Sequence, residues 1–349
     1  MNEIKLDNIC FSDNTRILNH YNEIVIGNVR ECGLWIKILT KDFEKIKTYI
    51  GLENGFELLM RNTDNARKQY YIEIIKALAK IKVIKRKDWS ENKKTIERLD
   101  IELTTKCNLR CKHCSGEYGE QDKSSMPQEM FHRIIHWAAE NNISSVTLSG
   151  GEIFCLSNIS KYLEYARKNF MGRIDIISNA TLIYPEHISI LKSCVDEISI
   201  SLDGYDENSV SMIRGKGVYN KVIALINKLK MCGYERITLS CVSVGDDNSE
   251  IIKFKELSER LHIKPVIRQL NIKGRAEENF AEDPMELRIM HNLTEKGLTF
   301  KCLCNHQYRS IFINTYGIVF SCAALREEEL GIGSFIVSEH KIHIDGLFA

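Results

Sequence analysis

The sequence predicts an α/β fold: a partial (β/α)6 parallel barrel, with a small winged-helix-like module before it and a short cysteine-containing extension after it. Three observations lead there. Short β-prone runs alternate with helix-period runs through the middle of the chain, hairpin-like runs precede helical patterns near the start, and the last stretch holds three of the twelve cysteines.

The middle zone, residues 99–283, carries the barrel prediction. Its candidate strands are Leu99 to Leu103, Ser145 to Ser149, Arg173 to Ser178, Glu197 to Leu202, Arg236 to Val242 and Lys264 to Leu270, each rich in Ile, Val, Leu or Thr. Between them, Phe131, Ile134, Ile135, Ala138 and Ala139 form one apolar helix face, with Ser125 and Gln128 spaced as a capping box. Val218, Val222, Leu225, Ile226 and Leu229 form a second such stripe. Repeated strand–helix units imply a parallel sheet with right-handed crossovers, and six units suggest an open barrel, since a closed one needs eight.

Residues 1–87 form the predicted N-terminal module. Glu23 to Ile26 and Leu34 to Ile38 read as a hairpin around Gly27, Asn28 and Gly33, and helical patterns follow over Asp42 to Ile50 and Asn65 to Lys80. Residues 88–98 are charged, lack apolar periodicity and read as a linker. Residues 284–349, with Cys302, Cys304 and Cys322, make a zone too small to fold well without a metal or a neighbour.

Charge is balanced, with 48 Lys and Arg against 47 Asp and Glu, so no global field favours nucleic acid or an anionic membrane. The N-terminus lacks the basic start and apolar run of a signal peptide, and no apolar stretch has the length of a membrane span. The expected location is cytoplasmic. Twelve cysteines in such a chain point to metal or cluster ligation ahead of disulfides, with Cys10, Cys32, Cys155, Cys194, Cys232 and Cys241 read as plain thiols.

Cys107, Cys111 and Cys114 follow the first barrel strand, where a parallel barrel presents its catalytic loops. Iron–sulfur clusters usually take four thiolates, so a group of three leaves one iron open to a chelating ligand. A zinc knuckle with a distant fourth ligand and three unrelated thiols are the alternatives, although the second Cys pair that usually matches the first in zinc sites is absent here.

The run Cys107-Asn108-Leu109-Arg110-Cys111-Lys112-His113-Cys114 resembles the Cys-x3-Cys-x2-Cys motif of the radical S-adenosylmethionine superfamily, with His113 where an aromatic residue or histidine commonly precedes the last cysteine. The resemblance covers about Leu99 to Arg275. Gly150, Gly151 and Glu152 look like the element that holds the cofactor's amino group, and Ser178 and Asn179 fall where the family contacts ribose. Ser201, Asp203 and Arg214 lie in the region from which a serine and an arginine reach the ribose and carboxylate. Ile153 stands in place of a common proline and Ala180 in place of the usual glycine, which puts the shape of those loops in doubt.

The resemblance implies a 4Fe-4S cluster and S-adenosylmethionine as cofactors, with reductive cleavage to a 5'-deoxyadenosyl radical that abstracts hydrogen from an unactivated carbon. Cys304 or Cys302, Gly317 and Cys322 resemble the start of a SPASM or twitch extension. No cysteine follows Cys322 within these residues, so the expectation is at most one auxiliary iron–sulfur cluster on Cys302, Cys304 and Cys322. The N-terminal module resembles PqqD-like elements that bind a leader peptide by strand addition. Together these imply a maturase of a ribosomally made precursor peptide, with flavodoxin or ferredoxin as electron donor and neither nucleic acid nor membrane as partner. Two enzyme alternatives keep the radical chemistry but act on a protein, as sulfatase maturases do, or on a cofactor precursor. An alternative of another class is a non-catalytic iron–sulfur or zinc peptide-binding protein.

Overall fold

The computed structural model describes residues 8–13, 15–20, 22–28, 34–88, 96–119, 124–244, 248–280, 299–301, 309–320, 322–323, 333–336 and 341–344. These fall into two compact units, one within 1–95 and 286–309, the other within 96–285 and 310–349.

The first unit begins with β1 (Ile9–Phe11), β2 (Thr15–His20), β3 (Glu23–Asn28) and β4 (Leu34–Leu39), then α1 (Thr40–Tyr49), α2 (Gly55–Arg61), α3 (Asn65–Lys80) and β5 (Ile84–Arg86). The two hairpin strands and both helices lie where periodicity placed them. Strand β2, whose Thr-Arg-Ile-Leu-Asn-His sequence mixes polar with apolar residues, joins β3 antiparallel, and β1 pairs β5. Ile24 and Ile26 of β3 bury one face against Ile46, Ile74 and Leu78 of the helices. Asp42, 1% exposed, ties α1 to α3 by accepting from Arg67 at 2.8 Å and from the Tyr71 hydroxyl at 2.7 Å. A buried carboxylate survives because these donors replace its water.

The second unit contains β6 (Arg98–Thr104), α4 (Gln128–Glu140), β7 (Ser145–Gly150), α5 (Ile159–Asn169), β8 (Arg173–Ser178), α6 (His187–Cys194), β9 (Glu197–Ser201), α7 (Glu207–Arg214), α8 (Val218–Met231), β10 (Ile237–Ser243), α9 (Asn248–Arg260), β11 (Lys264–Gln269) and α10 (Arg275–Phe280). Strands β6 to β11 pair in chain order, every pair parallel. All six lie within a residue of the positions the β-prone runs predict. Their apolar residues, such as Ile101, Leu148, Ile176 and Ile198, form one continuous core with Phe131, Leu163 and Leu229 of the helices.

The capping box expected at Ser125 and Gln128 does not form. Pro127 takes the N-cap position of α4 without a side-chain cap, and the Ser125 hydroxyl meets Thr104 Oγ1 at 3.1 Å instead. The cap therefore falls two residues after Ser125, whose hydroxyl instead helps close the loop that leaves β6.

The C-terminal zone divides between the units. β12 (Thr299–Lys301) pairs antiparallel with β4, whereas β13 (Ser310–Ile313) continues the second sheet parallel to β6 and is followed by antiparallel β14 (Ile318–Phe320), β15 (Gly333–Ile336) and β16 (Lys341–Ile344). Cys302 and Cys304 lie outside the described residues, as do 89–95 of the expected linker; Arg98 already belongs to β6.

Candidate active site

A cavity of about 400 Å³ opens at the C-terminal ends of the parallel strands. Its wall includes Cys107, Cys111 and Cys114, Gly150 and Gly151, Ser178 and Asn179, and Ser201, Asp203 and Arg214. Every residue that the sequence nominates in the barrel reaches this wall except Glu152, which lies directly beneath it.

The cysteine loop is held from several sides. Thr104 Oγ1 donates to Ser124 O at 2.8 Å, and Lys112 N donates to Ile213 O at 2.9 Å. The loop after β7 presses against it: Gly151 N donates to Thr104 O at 2.7 Å, and Glu152 N to Lys106 O at 2.8 Å. This approach explains the glycine pair. A Cβ on Gly151 would stand 2.4 Å from Lys106 O, and one on Gly150 would stand 2.3 Å from Thr104 O. Because the obstacles are backbone atoms, Gly151→Ala is expected to destabilise the fold by about 1–3 kcal/mol and to displace the cysteine loop. Urea denaturation together with iron analysis of reconstituted protein checks this; a variant that matches the parent in both contradicts the account.

Glu152 is fully buried. Its carboxylate accepts from Phe154 N at 3.1 Å, Ser178 Oγ at 2.8 Å and Asn179 N at 2.7 Å. Burial pushes its carboxyl pKa up, and these hydrogen bonds oppose the shift. Its side chain therefore braces the Ser178–Asn179 turn. Ala180, in place of the usual glycine, keeps a left-handed backbone at φ 63°, so the turn retains its form with alanine in it. Ile153 begins a short 3-10 turn, Ile153–Cys155, and is buried in the core.

Asp203 is saturated by protein donors. Oδ1 accepts from Val242 N at 2.6 Å; Oδ2 accepts from His113 Nε2 at 2.6 Å and from Arg214 Nε at 2.5 Å. Burial alone would raise its pKa, but Arg214 and then His113 hold it well below the usual carboxylate range. Arg214 also directs Nη1 to Cys111 Sγ at 3.8 Å. His113 leaves Nδ1 buried with no hydrogen-bond partner among the described residues.

Burial dominates at the cysteines, pushing the Cys107 thiol up to about 12 and raising that of Cys111 against the opposing charge of Arg214. Among the described residues no three His, Cys, Asp or Glu side chains converge on a single ion. Three thiols spaced around a common cavity suit a multi-iron cluster, which distributes its thiolates over separate irons. The donor set, the glycine approach and the orphaned His113 nitrogen all fit a cluster with a nitrogen-bearing ligand beside it.

Sequence reasoning missed several wall residues. Arg275 donates to Cys111 O at 3.0 Å and Tyr118 O at 2.9 Å, pinning the cysteine loop from α10. Arg268, near the end of β11, and Asn271, just after it, also line the wall. Cys155, read as a plain thiol, is half-buried, and burial pushes its thiol pKa up. Cys322 also lines this cavity and is half-buried.

Residues 101–257 match the Radical SAM superfamily model. Mycofactocin maturase MftC of Mycolicibacterium smegmatis is 27% identical over 178 residues, covering 51% of this chain and 45% of the relative. The antilisterial bacteriocin subtilosin biosynthesis protein AlbA of Bacillus subtilis is 30% identical over 144 residues, 40% of this chain and 32% of the relative. The chain thus spans less than half the length of these relatives. Among solved structures, Streptococcus suis SuiB bound to S-adenosylmethionine shares the fold with a TM-score of 0.54 at 17% identity, covering 91% of this chain and 84% of that one; SuiB bound to precursor peptide SuiA gives 0.52 at 15% identity over the same shares. Residues 101–257 of this chain are a domain of the Radical SAM superfamily, whose enzymes work with a 4Fe-4S cluster and S-adenosylmethionine.

Proposed function

We propose that this chain is a radical S-adenosylmethionine maturase of a ribosomally made peptide. The convergence of Cys107, Cys111 and Cys114 with Gly150, Ser178, Ser201 and Arg214 on one cavity at the strand ends supports this reading more than any other observation. Under it, the three cysteines hold the 4Fe-4S cluster and leave one iron for the methionine end of the cofactor. When bound, that pair supplies one-electron cleavage of the sulfonium to a 5'-deoxyadenosyl radical.

The chain's own residues do the rest. Gly150 and Gly151 expose backbone for the cofactor's amino group, and Asn179 and Ser201 offer polar groups to ribose. Glu152 and Asp203 act through others: the first sets the Ser178–Asn179 turn, the second holds His113 and Arg214 against the cysteine loop. The buried walls exclude the water that would quench a carbon radical.

The similarity to MftC, AlbA and SuiB favours a peptide as substrate. In this reading residues 1–87 bind the leader, 88–98 link, 99–283 form the partial-barrel core, and 284–349 contribute Cys302, Cys304 and Cys322 to one auxiliary cluster. A flavodoxin or ferredoxin supplies electrons in the cytoplasm. The test is to reconstitute the protein anaerobically, reduce it, and measure 5'-deoxyadenosine and methionine. Iron beyond one cubane per chain scores the auxiliary site; zinc in place of iron, or loaded protein that yields no deoxyadenosine, overturns the enzyme reading.

A further inference from the structure

Most charges around the cavity are spoken for. Arg214 meets Asp203, Arg275 donates to two backbone carbonyls, and Asp203, the one carboxylate on the wall among the described residues, is saturated. Arg268 is different. It projects from the C-terminal end of β11, the strand farthest in sheet order from β6 in the parallel series, and its one hydrogen bond among the described residues reaches Ser199 Oγ at a marginal 3.5 Å. No carboxylate among the described residues pairs with it, and most of its five donors stay open. Asn271, three residues on, lines the same wall, and its side-chain amide has no hydrogen-bond partner among the described residues. Asp203 and Asp100 act on Arg268 only through space, with no ion pair among the described residues, so a half-buried guanidinium facing this cavity gains from a ligand that brings a hydrogen-bonding anion, and a planar carboxylate fits its fork.

We propose that Arg268, assisted by Asn271, is the anion-recognising end of this cavity and takes a carboxylate of the substrate: an acidic side chain or chain terminus of the peptide. The inference rests on the radical S-adenosylmethionine reading and deepens it, because it assigns a substrate feature to the β11 part of the cavity wall. The carboxylate of S-adenosylmethionine offers the same chemistry. The two sources are separated by measuring cofactor affinity beside substrate-probe binding.

The test uses reconstituted protein as wild type, Arg268→Lys and Arg268→Gln, loaded with S-adenosylmethionine for the probe binding and free of it for calorimetry. Saturation-transfer NMR compares N-acetylglutamate amide with N-acetylglutamine amide, and calorimetry measures S-adenosylmethionine affinity. The expected result is preference for the glutamate probe, weakened about tenfold in Arg268→Gln as for loss of a charge-assisted contact and partly kept in Arg268→Lys, with cofactor affinity unchanged. If cofactor affinity falls instead and the probes do not respond, the carboxylate belongs to S-adenosylmethionine and the substrate assignment is overturned. If wild type does not discriminate between the probes and neither variant changes anything, carboxylate recognition itself is overturned. Failure of the underlying reading looks different: wild type would then lack the cluster's iron and fail to bind S-adenosylmethionine.

Discussion

Replacing Cys111 by alanine is expected to leave a folded protein that retains roughly a tenth or less of the parent's cluster iron, since a cluster bound by thiolates loses most of its affinity with a ligand. Cys111 is the most buried of the three cysteines, and Arg214 Nη1 stands 3.8 Å from its sulfur. That cation offsets the charge a thiolate would place in a buried site, so sulfur and guanidinium form one unit. Removing the thiol costs little packing, because the loop is pinned independently by Arg275 and by the Lys112–Ile213 hydrogen bond. Iron analysis after anaerobic reconstitution, with circular dichroism to verify folding, separates ligand loss from misfolding. Wild-type iron content in Cys111→Ala would remove this residue from the ligand set.

How much of this was readable without coordinates follows from the physics of each element. The parallel strands largely alternate Ile, Leu or Val with polar residues, as in Leu99-Asp100-Ile101-Glu102-Leu103 and Glu197-Ile198-Ser199-Ile200-Ser201, because one face packs on the helices, and such period-two patterns are visible in any sequence. The cysteine spacing and the Gly150-Gly151 pair were equally legible, since each reflects a local demand: three ligands on one loop, and backbone approach where no Cβ fits. The capping box at Ser125 failed because a long-range partner, Thr104, competed for the hydroxyl. Strand β12 was illegible for a related reason, as its three residues gain a strand only by pairing with β4. Arg268 and Arg275 carry no spacing signal, because their importance arises from the strand and helix that bring them to the wall.

The same distinction separates residues that touch a ligand from those that act through others, and Asp203 is the strongest case. Asp203→Asn is expected to destabilise the protein by about 3–5 kcal/mol, the usual result of removing one partner from a buried ion pair. The side chains of Asp203 and Arg214 are 2% and 8% exposed, so water cannot replace the lost charge. Asparagine keeps the shape and tolerates the left-handed backbone at φ 59°, so the loss reports the missing charge together with the acceptor that the amide NH2 replaces. Asp203→Ala should lose about 1 kcal/mol more, because alanine pays the full left-handed penalty. Urea midpoints of the cluster-free protein measure both. A change below about 0.5 kcal/mol in Asp203→Asn, the range of ordinary surface substitutions, would show that Arg214 finds other partners. In that event the link from Asp203 through Arg214 to Cys111 does not position the cysteine loop, and Arg214 is free to meet the cofactor directly.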